Sequence, residues 1–228
     1  MRVEEEAGRG TSRSVIKLSL PRTDAIEVLC LGAHSDDIEI GCGGTVLSFK
    51  CILPLVKFYW VVLSGSGIRG AEAAKSADLF TAGCPKEIVL KGYRDGFLPY
   101  HGAEVKDFFE DLKSQVNPDL IFTHWRGDAH QDHRLVSELT WNTFRDHLIL
   151  EYEIPKYDGD MGQPCVFVPL QRETCQAKVQ SIVDTFQSQR SKRWFQQDTF
   201  LSLMRLRGIE SNAPSGYAEA FYCRKMVL

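Results

Sequence analysis

No uninterrupted apolar stretch of this 228-residue chain approaches 18 residues, which excludes a membrane-spanning helix. The longest candidate, Ile52 to Leu63, is broken by Pro54 and Lys57 and reads as a buried strand. A basic stripe is missing too. The 27 Lys and Arg are interspersed with 30 Asp and Glu for a net charge of -3, so nucleic acid is not expected as a partner. Residues Met1 to Gly10 are acidic and contain glycine but no apolar core, and are not read as a secretory signal. The seven cysteines are an odd number, scattered without Cys-x-x-Cys spacing. That usage points to a reducing, cytoplasmic setting, with Cys30, Cys42 and Cys51 read as small core residues. The chain shows no internal repeat and no low-complexity tract.

What is present is an alternation of short apolar runs and helical sequence. The length suits one large α/β domain with a substantial core. Residues 1–23 read as a flexible N-terminal tail and 24–228 as the domain. Strands are expected near 26–33, 56–64, 87–92 and 119–124, each followed by a helix. This is the rhythm of a Rossmann-like, mostly parallel sheet flanked by helices. Leu148 to Ile154 reads as a fifth strand, Cys165 to Leu170 as a short one and Ala218 to Val227 as a closing edge strand. Arg172 to Gln187 and Phe195 to Arg207 read as helices. The polar loop 155–164 holds two glycines and two prolines and is read as a lid, with Tyr157 and Asp158 as substrate contacts, the alternative being a plain connection.

Histidine is scarce, six residues in all, and three of the six stand at strand ends beside acids. Ala33-His34-Ser35-Asp36-Asp37 follows the run Ile26 to Gly32, and a glycine-rich turn into a helix comes next. His130-Gln131-Asp132-His133-Arg134 lies past the strand Pro118 to Trp125, with His130 and His133 three apart and so on one face of a helical turn. Strand carboxyl ends are where open α/β sheets place ligands. Together the clusters supply about three protein ligands for a divalent metal and leave a carboxylate free as a base. The alternative for the first cluster is an Asp pair capping the next helix. The glycines Gly41, Gly43 and Gly44 lack both the Gly-x-Gly-x-x-Gly fingerprint and a Walker lysine, so a phosphate loop is rejected.

The two motifs resemble the signature pair of the PIG-L/LmbE-like zinc-dependent de-N-acetylases, usually Ala-His-Pro-Asp-Asp and His-Pro-Asp-His. Ser35 and Gln131 replace the prolines here, a departure that touches loop stiffness and not ligation. The resemblance implies that His34, Asp37 and His133 hold Zn2+, although the same donor set accepts Fe2+. It makes Asp36 the general base and His130 the group that stabilises or protonates the tetrahedral intermediate. The leaving amine's proton is left open between His130 and a re-protonated Asp36. Asp132 is expected to buttress a histidine from behind, or else to serve as a helix N-terminal carboxylate.

On the substrate side, Arg69-x-x-Glu72-Ala73 is similar to a family block whose arginine touches the sugar, with Glu72 ordering its loop. Asp95 resembles the family's sugar-hydroxyl acceptor, the alternative being a turn aspartate before Gly96. Arg205 and Arg207 are read as a solvated helix end. The peptides Glu151 to Asp158 and Gly216 to Tyr222 resemble a branch associated with bacterial sugar or natural-product pathways. The implied activity is metal-dependent removal of an acetyl or short acyl group from an N-acetylated amino sugar or glycoconjugate. A non-catalytic binding or assembly partner of the same fold is the alternative from another class, and phosphoester hydrolysis the alternative among enzymes. A homo-oligomer is left open.

Overall fold

A computed structural model describes residues 25–53 and 55–227; the expected tail, residues 1–23, and Pro54 lie outside them. Five strands alternate with helices in the first part of the fold: β1 (Ile26–Gly32), α1 (Asp37–Ile52), β2 (Val56–Val62), α2 (Gly67–Phe80), β3 (Lys86–Leu90), α3 (Gly102–Gln115), β4 (Leu120–His124), α4 (Gln131–Thr143) and β5 (Leu148–Tyr152). Then come β6 (Val166–Pro169), α5 (Arg172–Thr185), α6 (Gln197–Glu210) and β7 (Ala218–Tyr222). All seven strands form one sheet in the order β3-β2-β1-β4-β5-β7-β6. Strands β1 to β5 are parallel, whereas β7 runs antiparallel to both of its neighbours. Among the described residues no helix is long and apolar enough to cross a membrane.

Alternation along each strand builds two cores. Val28 and Cys30 of β1 face one side with Phe58, Trp60 and Phe122, under α1, α2, α5 and α6. Leu29 and Leu31 face the other with Val61 and Ile121, under Val105 and Phe109 of α3 and Val136 of α4. Each such large side chain contributes roughly 1.5–3 kcal/mol on burial, so the sheet is a firm base for the loops at its carboxyl edge. The glycines of α1 serve close packing. A Cβ on Gly41 would stand 2.2 Å from the Tyr152 ring, and one on Gly44 would stand 2.5 Å from Leu170.

Three expectations need correction. Ile52 does not begin a strand; it ends α1, half exposed, and the strand starts at Val56. Cys51, on the outer side of that last helical turn, is exposed and not a core residue. The last strand is shorter than 218–227 and is not an edge: β7 lies between β5 and β6, so β6 and β3 are the edges. Period-two patterning marks a strand without revealing its neighbours, and a strand buried on both sides reads much like an edge strand when only five residues long.

Candidate active site

Between β1 and β4 the sheet order reverses direction, and the loops leaving these two strands part to opposite faces. Ligand crevices form at such switch points. His34 stands two residues beyond β1, and Asp36 and Asp37 open α1. His130 and His133 open α4, six and nine residues past the end of β4.

The donor atoms converge. His34 Nδ1 is 3.1 Å from His133 Nε2 and 3.3 Å from Asp37 Oδ2, while His133 Nε2 is 3.5 Å from Asp37 Oδ1. Outer partners set the tautomers. His133 Nδ1–H donates to Asp128 Oδ2 at 2.9 Å, and His34 Nε2–H is shared between Asp95 Oδ1 at 3.1 Å and Asp132 Oδ2 at 3.2 Å. In its neutral form each imidazole would turn a lone pair inward, toward Asp37; without a cation the neighbouring carboxylates favour a proton there, which a metal would displace. Tetrahedral zinc with bonds of about 2.0–2.2 Å sets neighbouring ligand atoms roughly 3.3–3.6 Å apart. The donor types suit such an ion; the two histidines approach different oxygens of Asp37, and the sets with one donor atom per residue within 4.8 Å of one another include His34, His130 and His133 and also Asp37, His124 and His133.

Electrostatics follow from the same contacts. Burial pushes the pKa of His34 down, but Asp37, Asp132 and Asp95 outweigh it and hold the value well above that of a free histidine. Burial also pushes Asp37 up; His133, His124 and His34 more than offset this and keep its carboxylate ionised. Asp36 is raised, by burial and then by the charge of Asp37. Its Oδ2 is buried without a hydrogen-bond partner, and Asp36 makes no side-chain cap to α1, so the helix-capping alternative does not describe it. His130 is lowered by burial and by the charges of His133 and His34. Its Nδ1 accepts from Asp132 N–H at 3.2 Å, which leaves the proton on Nε2.

His34, Asp36, Asp37, Arg69, Asp95, His130, Asp132 and His133 gather here. Arg69 and Asp95 form an ion pair and line, with His34, Asp36, Asp37, His130 and His133, a cavity of about 230 Å³. Asp132 accepts hydrogen bonds from Gly96 N at 2.7 Å and Leu98 N at 3.1 Å, so it pins the Asp95 loop as well as touching His34. Gln131, at the position of a proline in the resembled motif, donates to Gly96 O at 2.6 Å. Tyr157 and Asp158 line the cavity too. Glu72 binds Ser188 N at 2.9 Å, which ties α2 to the segment before α6. Arg207 is not solvated: it is buried in a bidentate pair with Glu153, at 2.7 and 2.8 Å, away from this cavity. Arg205 instead donates to Gly216 O.

Over residues 29–144 the chain matches the family described as PIG-L: GlcNAc-PI de-N-acetylase. The chain belongs to this family. One relative is a protein of Escherichia coli strain K12 described as the uncharacterized deacetylase YaiS, 29% identical over 56% of this chain and 74% of that one. Among solved structures, the N,N'-diacetylchitobiose deacetylase of Pyrococcus horikoshii superposes with a TM-score of 0.67 at 23% identity, over 89% of this chain and 85% of that one. GalB, the 4-carboxy-2-hydroxymuconate hydratase of Pseudomonas putida KT2440, superposes with a TM-score of 0.66 at 15% identity, over 89% and 98%. At such identities the likeness is one of fold. A hydratase among the neighbours means that fold alone does not select the deacetylase reaction.

Several residues around this cavity escaped the sequence reading. His124 ends β4 and stacks on His133, with ring centroids 3.8 Å apart and planes 17° apart. Its Nε2 accepts from Ala33 N–H at 3.0 Å, and burial together with the charge of His133 pushes its pKa down to about 4. Asp128 is a hub: Oδ1 accepts from His130 N at 2.7 Å, Oδ2 accepts from His133 Nδ1, and Lys156 Nζ is ion-paired with Oδ2 at 3.0 Å. Histidine scarcity was a usable signal for His124, which brings four of the six histidines into one cluster. Lys156, Lys192 and Trp194 carried none.

Proposed function

We infer that the protein hydrolyses the amide of an N-acylated amino sugar or glycoconjugate and releases a short carboxylic acid, acetate foremost. The observation that carries this reading is the convergence of two imidazole nitrogens and the Asp37 carboxylate beside Asp36, whose Oδ2 has no hydrogen-bond partner among the described residues. Zinc held by His34, Asp37 and His133 would supply a Lewis acid and lower the pKa of water at the site to about 7; iron is the alternative ion for the same donors.

The residues divide the remaining work. Asp36 accepts the proton of the attacking water, and its raised pKa lets it keep that proton until the C–N bond breaks. The same carboxyl then protonates the leaving amine, while the acid departs as carboxylate. His130, neutral and with its proton on Nε2, donates to the carbonyl oxygen as negative charge builds there. Arg69 and Asp95 bind the sugar hydroxyls. Asp132 supports this set from behind, through His34 and through Gly96 and Leu98.

Metal analysis of the purified protein, followed by a free-amine assay over N-acetylated sugars, tests the reading. Asp36→Asn should lose about 10²–10⁴-fold in kcat with its zinc retained, whereas His133→Ala should lose the zinc. Amine release by Asp36→Asn at the wild-type rate would refute the base assignment. Turnover of unsaturated acids without amine release would point to GalB-like hydration instead.

A further inference from the structure

The metal donors and Asp36 occupy the buried end of the cavity. Its open end is lined by Lys192, Trp194, Tyr157 and Asp158, of which Trp194 is half-buried and the others are exposed. Lys192 and Trp194 belong to the segment between α5 and α6, and that segment is firmly held. Glu72, buried on α2 one turn beyond Arg69, accepts from Ser188 N at 2.9 Å and from Ser188 Oγ at 2.5 Å. Lys192 N donates to Gln189 O at 2.9 Å and Phe195 N to Lys192 O at 3.1 Å. Phe195 is buried against Phe200, and Arg193 N donates to Tyr157 Oη at 3.1 Å. The ammonium of Lys192 lies 5.4 Å from the centre of the Trp194 ring.

Charge sets Lys192 apart from the other cations of the cavity. Arg69 is paired with Asp95, and Lys156 with Asp128 and Asp160. Among the described residues Lys192 has no ion-pair partner, Asp158 included, although it lines the same cavity as Asp36. A cavity of about 230 Å³ is smaller than the roughly 300–1,000 Å³ of clefts that engulf a drug-sized ligand. It takes one ring with its acyl group and leaves the rest of a larger substrate over Lys192 and Trp194.

Building on the deacetylase reading, we propose that the acylated sugar carries an anionic substituent, a phosphate ester or a carboxylate, which lies against Lys192 while the apolar side of the ring rests on Trp194. The ammonium is a compact point charge that bonds either kind of anionic oxygen. The indole supplies a flat apolar surface already in place, so little side-chain freedom is lost on binding.

Amine release from N-acetylglucosamine is compared with that from its 1-phosphate, its 6-phosphate, its uridine diphosphate ester and N-acetylmuramic acid. The proteins are zinc-loaded wild type, Lys192→Met, Lys192→Arg and Trp194→Ala. In the wild type at least one anionic sugar should exceed N-acetylglucosamine about tenfold in kcat/KM, and added salt should shrink that ratio. Lys192→Met should abolish the ratio and Lys192→Arg should restore most of it. Equal turnover of neutral and anionic sugars by the wild type overturns the proposal, as does a preference that survives in Lys192→Met. If no amide is cleaved, thermal shifts with the same phosphates separate the two readings. A shift that depends on Lys192 upholds the anion subsite and leaves the deacetylase reading at fault; the absence of any shift overturns both.

Discussion

Asp128→Asn tests whether the metal donors are aimed from behind. In the wild type Asp128 accepts two hydrogen bonds, from His130 N at 2.7 Å and His133 Nδ1 at 2.9 Å, and forms an ion pair with Lys156 Nζ at 3.0 Å. An asparagine keeps one acceptor and gains two N–H groups, so neither amide orientation satisfies the site. With its oxygen toward His133 and Lys156, the amide nitrogen faces the His130 N–H, donor against donor. With its oxygen toward His130, the amide nitrogen faces His133 Nδ1 and the lysine ammonium. His133 must then move its proton to Nε2, which removes the lone pair turned toward His34 and Asp37. Changes of this kind behind a metal-binding histidine cost about 10–100-fold in metal affinity, or roughly 1.4–2.7 kcal/mol. Competition for zinc with a chromophoric chelator measures the loss, and circular dichroism verifies that the variant is folded. Asp160→Asn is the control, because Asp160 contacts Lys156 and Ala129 N but not His133; its zinc affinity should stay within about threefold. A folded Asp128→Asn protein with the zinc affinity of the wild type would refute the argument.

Three further expectations concern other parts of the molecule. Gln131→Ala removes one of the fastenings of the Asp95 loop while Asp132 still holds Gly96 N and Leu98 N, so KM should rise about 2–10-fold with kcat and zinc content unchanged; a fall in kcat alone would contradict the role. His124 is neutral in the fold, with a pKa of about 4 against about 6.5 when unfolded. Its contribution to stability in metal-free protein is therefore present above about pH 6.5 and is lost as the pH falls toward 4. Urea midpoints of wild type and His124→Gln should converge over that window, and a constant gap between them would count against this. Gly41→Ala drives a Cβ to 2.2 Å from the Tyr152 ring and should cost roughly 1–3 kcal/mol in thermal unfolding, whereas Gly102→Ala, with nothing within 4 Å, should cost far less.

Much of this molecule could be read in its sequence because the informative residues are local. His34 to Asp37 and His130 to His133 sit on turns whose position is set by the strand before each one. A strand rich in branched apolar residues ending in polar ones announces its own carboxyl end. The parallel rhythm of β1 to β5 likewise needs only local pattern. What stayed hidden depends on partners distant in the chain. Lys156 looks like an ordinary loop lysine until Asp128 and Asp160 are beside it. Arg207 looks solvated until the Glu153 carboxylate meets it. The interior place of β7 is a matter of pairing, to which the five residues Ala-Glu-Ala-Phe-Tyr give no clue. His124 was within reach, yet it closes a buried strand, where a core histidine satisfied by the backbone is the commoner explanation.

The interior position of β7 also bears on how the site comes to exist. Glu219 of that strand accepts from Gly44 N at 2.7 Å and from Thr45 N at 2.6 Å, and Lys178 on α5 bridges it to Ile40 O. The helix that presents Asp36 and Asp37 is thus bolted at mid-length by residues encoded 138 to 175 positions downstream. A chain cut after residue 144 would retain every donor and both signature peptides while losing the bolt. Such a fragment would spell out the motif in full and still not hold the cation proposed for the site, so metal retention would gauge whether the far end of the sheet has closed.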